Sequence, residues 1–371
     1  MITLDRKVLF LVAASVVLIG ACSQTGSAAA PTTSASDGLS AAVTEADATE
    51  AALPEAPRGL HFGTAGIIPR NYPSGETDDW IAMYEGIGET GGLMGAYGGW
   101  TDANTPAGRI PDVFNAVYAA ADRFGGITPV VGLGFATENI ITGDMQTTVD
   151  WTDPAEVASF TAVAVAIAEA YEPGHMVVGA EINRIWEQHP ANYEAFVTAW
   201  PALYDAIKAA SPNTAVGTGF QYEFLRGEGY LSGEERDPQW HLLDAFRPSS
   251  DFVALSTYPY FDFETPEAIP SDYYAEAAEA AGLPLAFTEM GWPSRPLYTA
   301  PDSAYGGSEV EQTAFAERFL ALIDDLDVSF ALWSFQHDIG EPGGPAFESV
   351  SLRENDGTPK PAFEVWAAAS R

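Results

Sequence analysis

Eight short apolar runs, separated by amphipathic stretches, constrain this chain more than any other feature. They read GLHFGTAG (59–66), GLMGAYGGW (92–100), ITPVVGLGFA (127–136) and HMVVGAEIN (175–183). They continue as TAVGTGFQYE (214–223), DFVALSTYPYF (251–261), PLAFTEMGW (284–292) and VSFALWSFQHD (328–338). Each is about the length of a strand and almost continuously apolar, the texture of parallel strands buried on both faces. In the stretch 154–171, Val157, Phe160, Ala164, Ile167 and Tyr171 recur at helical spacing. Asp153, Pro154 and Glu156 predict a capping box there, with proline in the first turn. Phe196, Trp200, Leu203 and Ile207 mark the next helix, which Pro201 is expected to kink. Ser308 and Glu311 predict a second capping box, followed by Phe315, Phe319 and Ile323 on one face. The tail KPAFEVWAAAS (360–370) predicts a final helix. Eight strand–helix repeats predict an α/β fold, a single-domain (β/α)8 TIM barrel, with a doubly wound open sheet as the rival.

The N-terminal segment has another texture. Arg6 and Lys7 precede an apolar stretch, Val8 to Ile19, that is short for a membrane span. It ends Ile19-Gly20-Ala21-Cys22 and resembles a bacterial lipoprotein signal peptide. The resemblance implies a signal peptide over 1–21, cleavage before Cys22 and a lipid on its sulfur. A plain secretory signal is the alternative. Cys22 is the chain's single cysteine, so no intrachain disulfide and no cysteine-based metal site can form. Residues 22–57, rich in Ala, Ser, Thr, Glu and Pro and lacking aromatics, read as a disordered tether. The expected organisation is signal, tether, and a barrel over 58–371, held outside the cytoplasm by a lipid on a bacterial membrane.

The 371 residues are 47% hydrophobic, enough for a large core, and carry a formal charge of -36. Phosphate would be repelled, so no nucleic-acid partner is expected. The acidity reads as a solvated surface that keeps the protein soluble and monomeric.

In a barrel of this kind, chemistry sits at the carboxyl ends of the strands. The fourth run ends Gly179-Ala180-Glu181-Ile182-Asn183-Arg184, and the seventh ends Thr288-Glu289-Met290-Gly291-Trp292. Glu181 and Glu289 thus follow otherwise uncharged strands that can converge on one central pocket. Two carboxylates across a sugar-sized gap are the machinery of glycoside hydrolysis. Burial and mutual repulsion would drive their pKa values apart. Trp100, Tyr258, Tyr260, Trp292 and Trp333 also fall at strand ends, where flat rings can stack on sugar faces. Asn183, Gln221 and His337 can supply hydrogen bonds to hydroxyls.

These residues resemble those of the clan A glycoside hydrolases, over residues 58–371. TEMGWPS resembles the nucleophile motif of the family 17 endo-β-1,3-glucanases, and STYPYF their sixth strand. VVGAEINRIW resembles the acid/base segment of the family 53 endo-β-1,4-galactanases. The resemblance implies an endo-acting, retaining O-glycosyl hydrolase on an extracellular β-galactan or β-glucan. It implies Glu181 as acid/base, Glu289 as nucleophile and Tyr258 as a hydrogen-bond partner of the nucleophile. One position departs: the clan has asparagine immediately before the acid/base, touching the sugar 2-hydroxyl, and here it is Ala180. Asn183 or Gln221 could substitute. Alternatively, the barrel binds carbohydrate without cleaving it.

Blander readings stand beside these. Glu181 can form a structural ion pair with Arg184, and Trp292 and Trp333 can be core aromatics. The five histidines lack ligand spacing, so no metal is expected. GETGG (88–92) lacks the lysine and Ser/Thr of a phosphate loop, and FGGITPVVGLG lacks a dinucleotide fingerprint, so no cofactor is expected. A two-lobed solute-binding lipoprotein conflicts with eight strand–helix units.

Overall fold

In a computed structural model the described residues are 60–100, 108–139, 144–227, 236–296, 307–340 and 344–371. The expected signal peptide, Cys22 and the tether lie outside them. Ten strands are described: β1 (His61–Ala65), β2 (Leu93–Gly99), β3 (Thr128–Gly134), β4 (Ala136–Asn139) and β5 (Asp144–Thr147). They continue with β6 (His175–Val178), β7 (Ala215–Gln221), β8 (Phe252–Thr257), β9 (Leu285–Met290) and β10 (Val328–Ser334). Eight of them close a parallel barrel in the order β1-β10-β9-β8-β7-β6-β3-β2. This is a TIM barrel, and its eight strands fall within the eight apolar runs. β4 and β5 form a separate antiparallel pair inserted after β3.

The barrel has two cores, because side chains alternate across each strand. Leu93, Val130, Val177, Phe252, Phe330 and Leu332 fill the inside. Outward-facing residues such as Val131, Met176, Phe287 and Trp333 pack against the helices in a larger cluster with Phe114, Trp200 and Trp366. The helix Pro154–Tyr171 begins as expected, with Asp153 accepting a hydrogen bond from the Ala155 amide at 2.8 Å. Glu156 does not close a capping box on Asp153; it accepts from the Asp150 amide at 2.6 Å. Ser308 caps Glu309–Ile323 by accepting from the Glu311 amide at 3.1 Å. The helix Pro190–Ala210 continues through Pro201 and buries Phe196, Trp200, Leu203 and Ile207.

Candidate active site

Glu181 and Glu289 reach the barrel mouth by two different distortions of the backbone. On β9, Ala286 faces the inner core and Phe287 the outer one. Strict alternation would turn Thr288 inward and Glu289 outward. The pairing with β8 slips between Leu255 and Ser256, whose partners are Phe287 and Glu289. Thr288 is therefore one residue too many on β9, a bulge that turns the next side chain inward. Its Oγ1 donates to the Leu255 carbonyl at 3.1 Å. Glu289 then shares Ser256's rung and faces the barrel axis.

Past the end of β6 the chain makes a sharp turn. Gly179 (φ 78°) and Glu181 (φ 48°) both lie in the left-handed region. Glycine adopts that conformation easily, whereas glutamate is strained there by about 1–3 kcal/mol. Glu181 caps the helix Ile182–Gln188 from this position, and its carbonyl accepts from the Arg184 amide at 2.9 Å. From this left-handed position the Glu181 side chain makes no capping bond to the helix and lines the cavity instead.

Both glutamates line one cavity. They are 2% and 5% exposed, respectively. Ser256 Oγ donates to Glu181 Oε1 at 2.5 Å. Tyr258 donates to Glu289 Oε2 at 2.9 Å, and its hydroxyl also lies 2.9 Å from Ser334 Oγ. A phenol has a single proton, so Ser334 is the donor in the second bond when Tyr258 serves the carboxylate. Tyr97, projecting inward from β2, lines the same cavity and donates to the Thr288 carbonyl at 2.7 Å. It is the one aromatic ring among the described lining residues.

Burial pushes the Glu289 carboxyl up to about 8; the charge of Glu181 adds to the rise, and the Tyr258 hydrogen bond opposes it. Two close carboxyls in a dry pocket cannot both ionise cheaply, so they hold one proton between them near neutral pH. Tyr258 donates to one carboxyl and Ser256 to the other, so each anion is favoured by its own hydroxyl.

The other expected site residues lie elsewhere. Asn183 is locked edge to edge with Gln221: its Nδ2 donates to the Gln221 carbonyl and its Oδ1 accepts from the Gln221 amide, both at 2.9 Å. The Gln221 side chain accepts from the Phe224 amide at 2.8 Å, capping a short helix, and donates to Glu223 at 2.6 Å. Tyr260 donates to the Ala346 carbonyl at 2.9 Å. Trp292 packs on Phe315, with ring centroids 5.4 Å apart. Trp333 donates to the Val350 carbonyl at 2.6 Å on the outer side of β10. Trp100 is fully buried against Phe160. His337 is buried with Nδ1 3.0 Å from the Ile68 carbonyl, and burial pushes it down to about 4, leaving a neutral ring. None of these seven is among the residues lining the cavity. The Arg184 guanidinium lies over the Phe224 ring at 4.3 Å.

Residues outside the sequence expectation do the supporting work. Ser256, Tyr97 and Ser334 sit at inward positions of their strands, which period-two counting from Phe252, Leu93 and Phe330 would have found. Glu223 is a buried acid on which four donors converge: Gln221 and Thr257 at 2.6 Å, the Tyr258 amide at 3.0 Å and Tyr273 at 3.1 Å. It lies behind the cavity and fixes the backbone from which Tyr258 projects.

No family model matches the sequence, and no curated protein matches it. Solved structures do share its fold. A family 39 glycoside hydrolase from the gut symbiont Bacteroides cellulosilyticus WH2 superposes with a TM-score of 0.59 at 18% identity, over 86% of this chain and 66% of that one. GH5_18 from Streptomyces cattleya, in complex with GlcNAc, gives 0.60 at 17% identity, over 84% and 80% of the two chains. A β-glycosidase gives 0.58 at 16% identity, over 86% and 97%.

Proposed function

We propose that this protein is a retaining β-glycosidase acting on an extracellular glycan. The observation that carries this reading is the meeting of Glu181 and Glu289 in one cavity, each held by a dedicated hydroxyl. The glycoside hydrolases among the structures sharing its fold support it. Ionised Glu289 attacks the anomeric carbon. The glycosidic C–O bond breaks, and the leaving oxygen takes the proton of Glu181. Glu181, now a carboxylate, removes a proton from water; the water oxygen displaces Glu289 and restores the starting pair. Two inversions give net retention. Ser256 steadies Glu181 through the change of charge, and Tyr258 stabilises Glu289 as an anion in the ground state and when it leaves.

The segment around Cys22 supports a lipid-tethered, extracytoplasmic enzyme. A second reading, a sugar-binding lipoprotein without turnover, draws on Ala180, which presents only a methyl group to the cavity. Product analysis by NMR on β-linked oligosaccharides separates the two. Hydrolysis with retained configuration, lost in Glu289→Gln, supports the enzyme. Binding without product supports the lipoprotein.

A further inference from the structure

Glu223 is a buried acid that the proposed reaction does not use, and it is not among the residues lining the cavity. Its Oε1 accepts from Thr257 Oγ1, the Tyr258 amide and the Tyr273 hydroxyl, and its Oε2 accepts from Gln221 Nε2. Four converging donors fit a carboxylate, which only accepts. Burial pushes this carboxyl up to about 7, and the bonds from Thr257, Gln221 and Tyr258 oppose the rise. Tyr222, Tyr260 and Tyr274 also face it, and burial keeps them as neutral phenols. Arg226, at the end of the same short helix, is paired with Glu276 at 3.3 Å. The charge of Glu223 is thus held by neutral donors. An apolar side chain of the same volume would stabilise a core as well or better.

What Glu223 grips is the stretch of β8 that serves both cavity carboxyls. Ser256, Thr257 and Tyr258 are consecutive. Ser256 reaches Glu181 and Tyr258 reaches Glu289. Thr257, between them, turns the other way, to Glu223. The ladder from β7 to β8 ends at the Gln221–Ser256 pair. Beyond it, the Tyr258 amide has the Glu223 carboxylate as its partner. Gln221 ends β7, so one carboxylate ties the last residue of that strand to the segment.

We propose that Glu223 is a positioning residue for the reaction: as an anion it holds Ser256 and Tyr258 where their hydroxyls meet Glu181 and Glu289. This rests on the reading that those two glutamates are the reacting pair. Glu223 touches neither of them and acts only through the segment it grips.

Glu223→Gln keeps an oxygen for Thr257, Tyr258 and Tyr273 but sets its amide nitrogen against Gln221 Nε2, donor to donor. On an aryl β-glycoside its kcat is expected to fall about 10–100-fold with KM little changed. The alkaline limb of its pH–rate profile is expected to move up as Tyr258 leaves Glu289. Losing a negative charge alone would move that limb down. The paired variant Gln221→Glu/Glu223→Gln again matches each donor to an acceptor, because the carboxylate now at 221 accepts from the new amide. It should recover most of kcat. Wild-type kcat in folded Glu223→Gln, a limb that stays or moves down, or no recovery in the paired variant overturns the proposal. Thr257→Val removes one donor and leaves the carboxylate in place. If Glu223→Gln does not fold, a lower kcat with a raised limb in Thr257→Val supports the proposal, and unchanged kcat overturns it. Carbon-13 NMR titration of the Glu289 carboxyl separates it from the catalytic reading. An upward shift in Glu223→Gln, without turnover by the wild type, keeps the role of Glu223 and removes the glycosidase. Turnover by the wild type with that titration unmoved does the reverse.

Discussion

The hydroxyl of Ser256 donates to Oε1 of Glu181 at 2.5 Å, while its Cα is the register partner of Glu289. One residue of β8 thus ties the proposed acid/base to the rung of the proposed nucleophile. A hydrogen bond to a charged group contributes about 1.5–3 kcal/mol. Ser256→Ala is therefore expected to lower kcat/KM about 10–100-fold with the fold intact. Steady-state kinetics on an aryl glycoside check this; wild-type rates would remove Ser256 from the mechanism.

Tyr258→Phe tests the other carboxyl. Its hydrogen bond lowers the pKa of Glu289, which burial and Glu181 have pushed up to about 8. Without the phenol, Glu289 holds its proton more tightly. The alkaline limb of the pH–rate profile, where the pair loses its last proton, is expected near pH 8 and should move upward in the variant. The rate at neutral pH should fall, since less Glu289 is ionised. An alkaline limb that stays in place or moves down contradicts this assignment.

Tyr97→Phe removes the bond to the Thr288 carbonyl at the bulge. A buried carbonyl left without its donor costs about 1–3 kcal/mol. Both the melting temperature and kcat are expected to fall, because the bulge aims Glu289. A loss of stability alone would separate the bulge from catalysis.

Stability should depend on pH in a way set by four buried groups. Glu289 and Glu223 are raised from 4.5 to about 8 and about 7, chiefly by burial. The native state keeps protons that the unfolded state gives up, so their contribution is full below 4.5 and is lost as pH rises to 7–8. His175 and His337 are lowered from 6.5 to about 4, chiefly by burial. Their contribution is full above 6.5 and is lost as pH falls toward 4. The two pairs offset each other between 4.5 and 6.5. Urea unfolding should therefore show a plateau there and a decline of roughly 3 kcal/mol from pH 6.5 to 8. Glu289→Gln should lessen that decline. Stability that rises toward pH 8 would refute the assignment.

The eight strands, most of the helical faces and the two acids were legible because they rest on local pattern. Apolar runs such as 127–136 can satisfy their surfaces only when covered on both faces. An acid at the end of such a run has few places to go except the barrel mouth. The aromatics were another matter. Trp292 and Trp333 carry the same residue type whether they face a sugar or a helix, and only the parity of Phe330 and Leu332 against Trp333 sends it outward. Asn183 and Gln221 look like open hydrogen-bonding groups in the sequence, yet the Asn183 side chain is spent on the Gln221 backbone and the Gln221 side chain on Phe224 and Glu223.

The sequence by itself determined the repeating strand–helix order, and with it the barrel and the ends of β6 and β9 as places for Glu181 and Glu289. Only the tertiary structure decided that they face the same cavity. That outcome depends on an extra residue at Thr288 and a left-handed glutamate at 181, both held against their local preferences by neighbouring strands. Period and composition are properties of a segment. A register shift is a property of two segments, and neither sequence contains it alone.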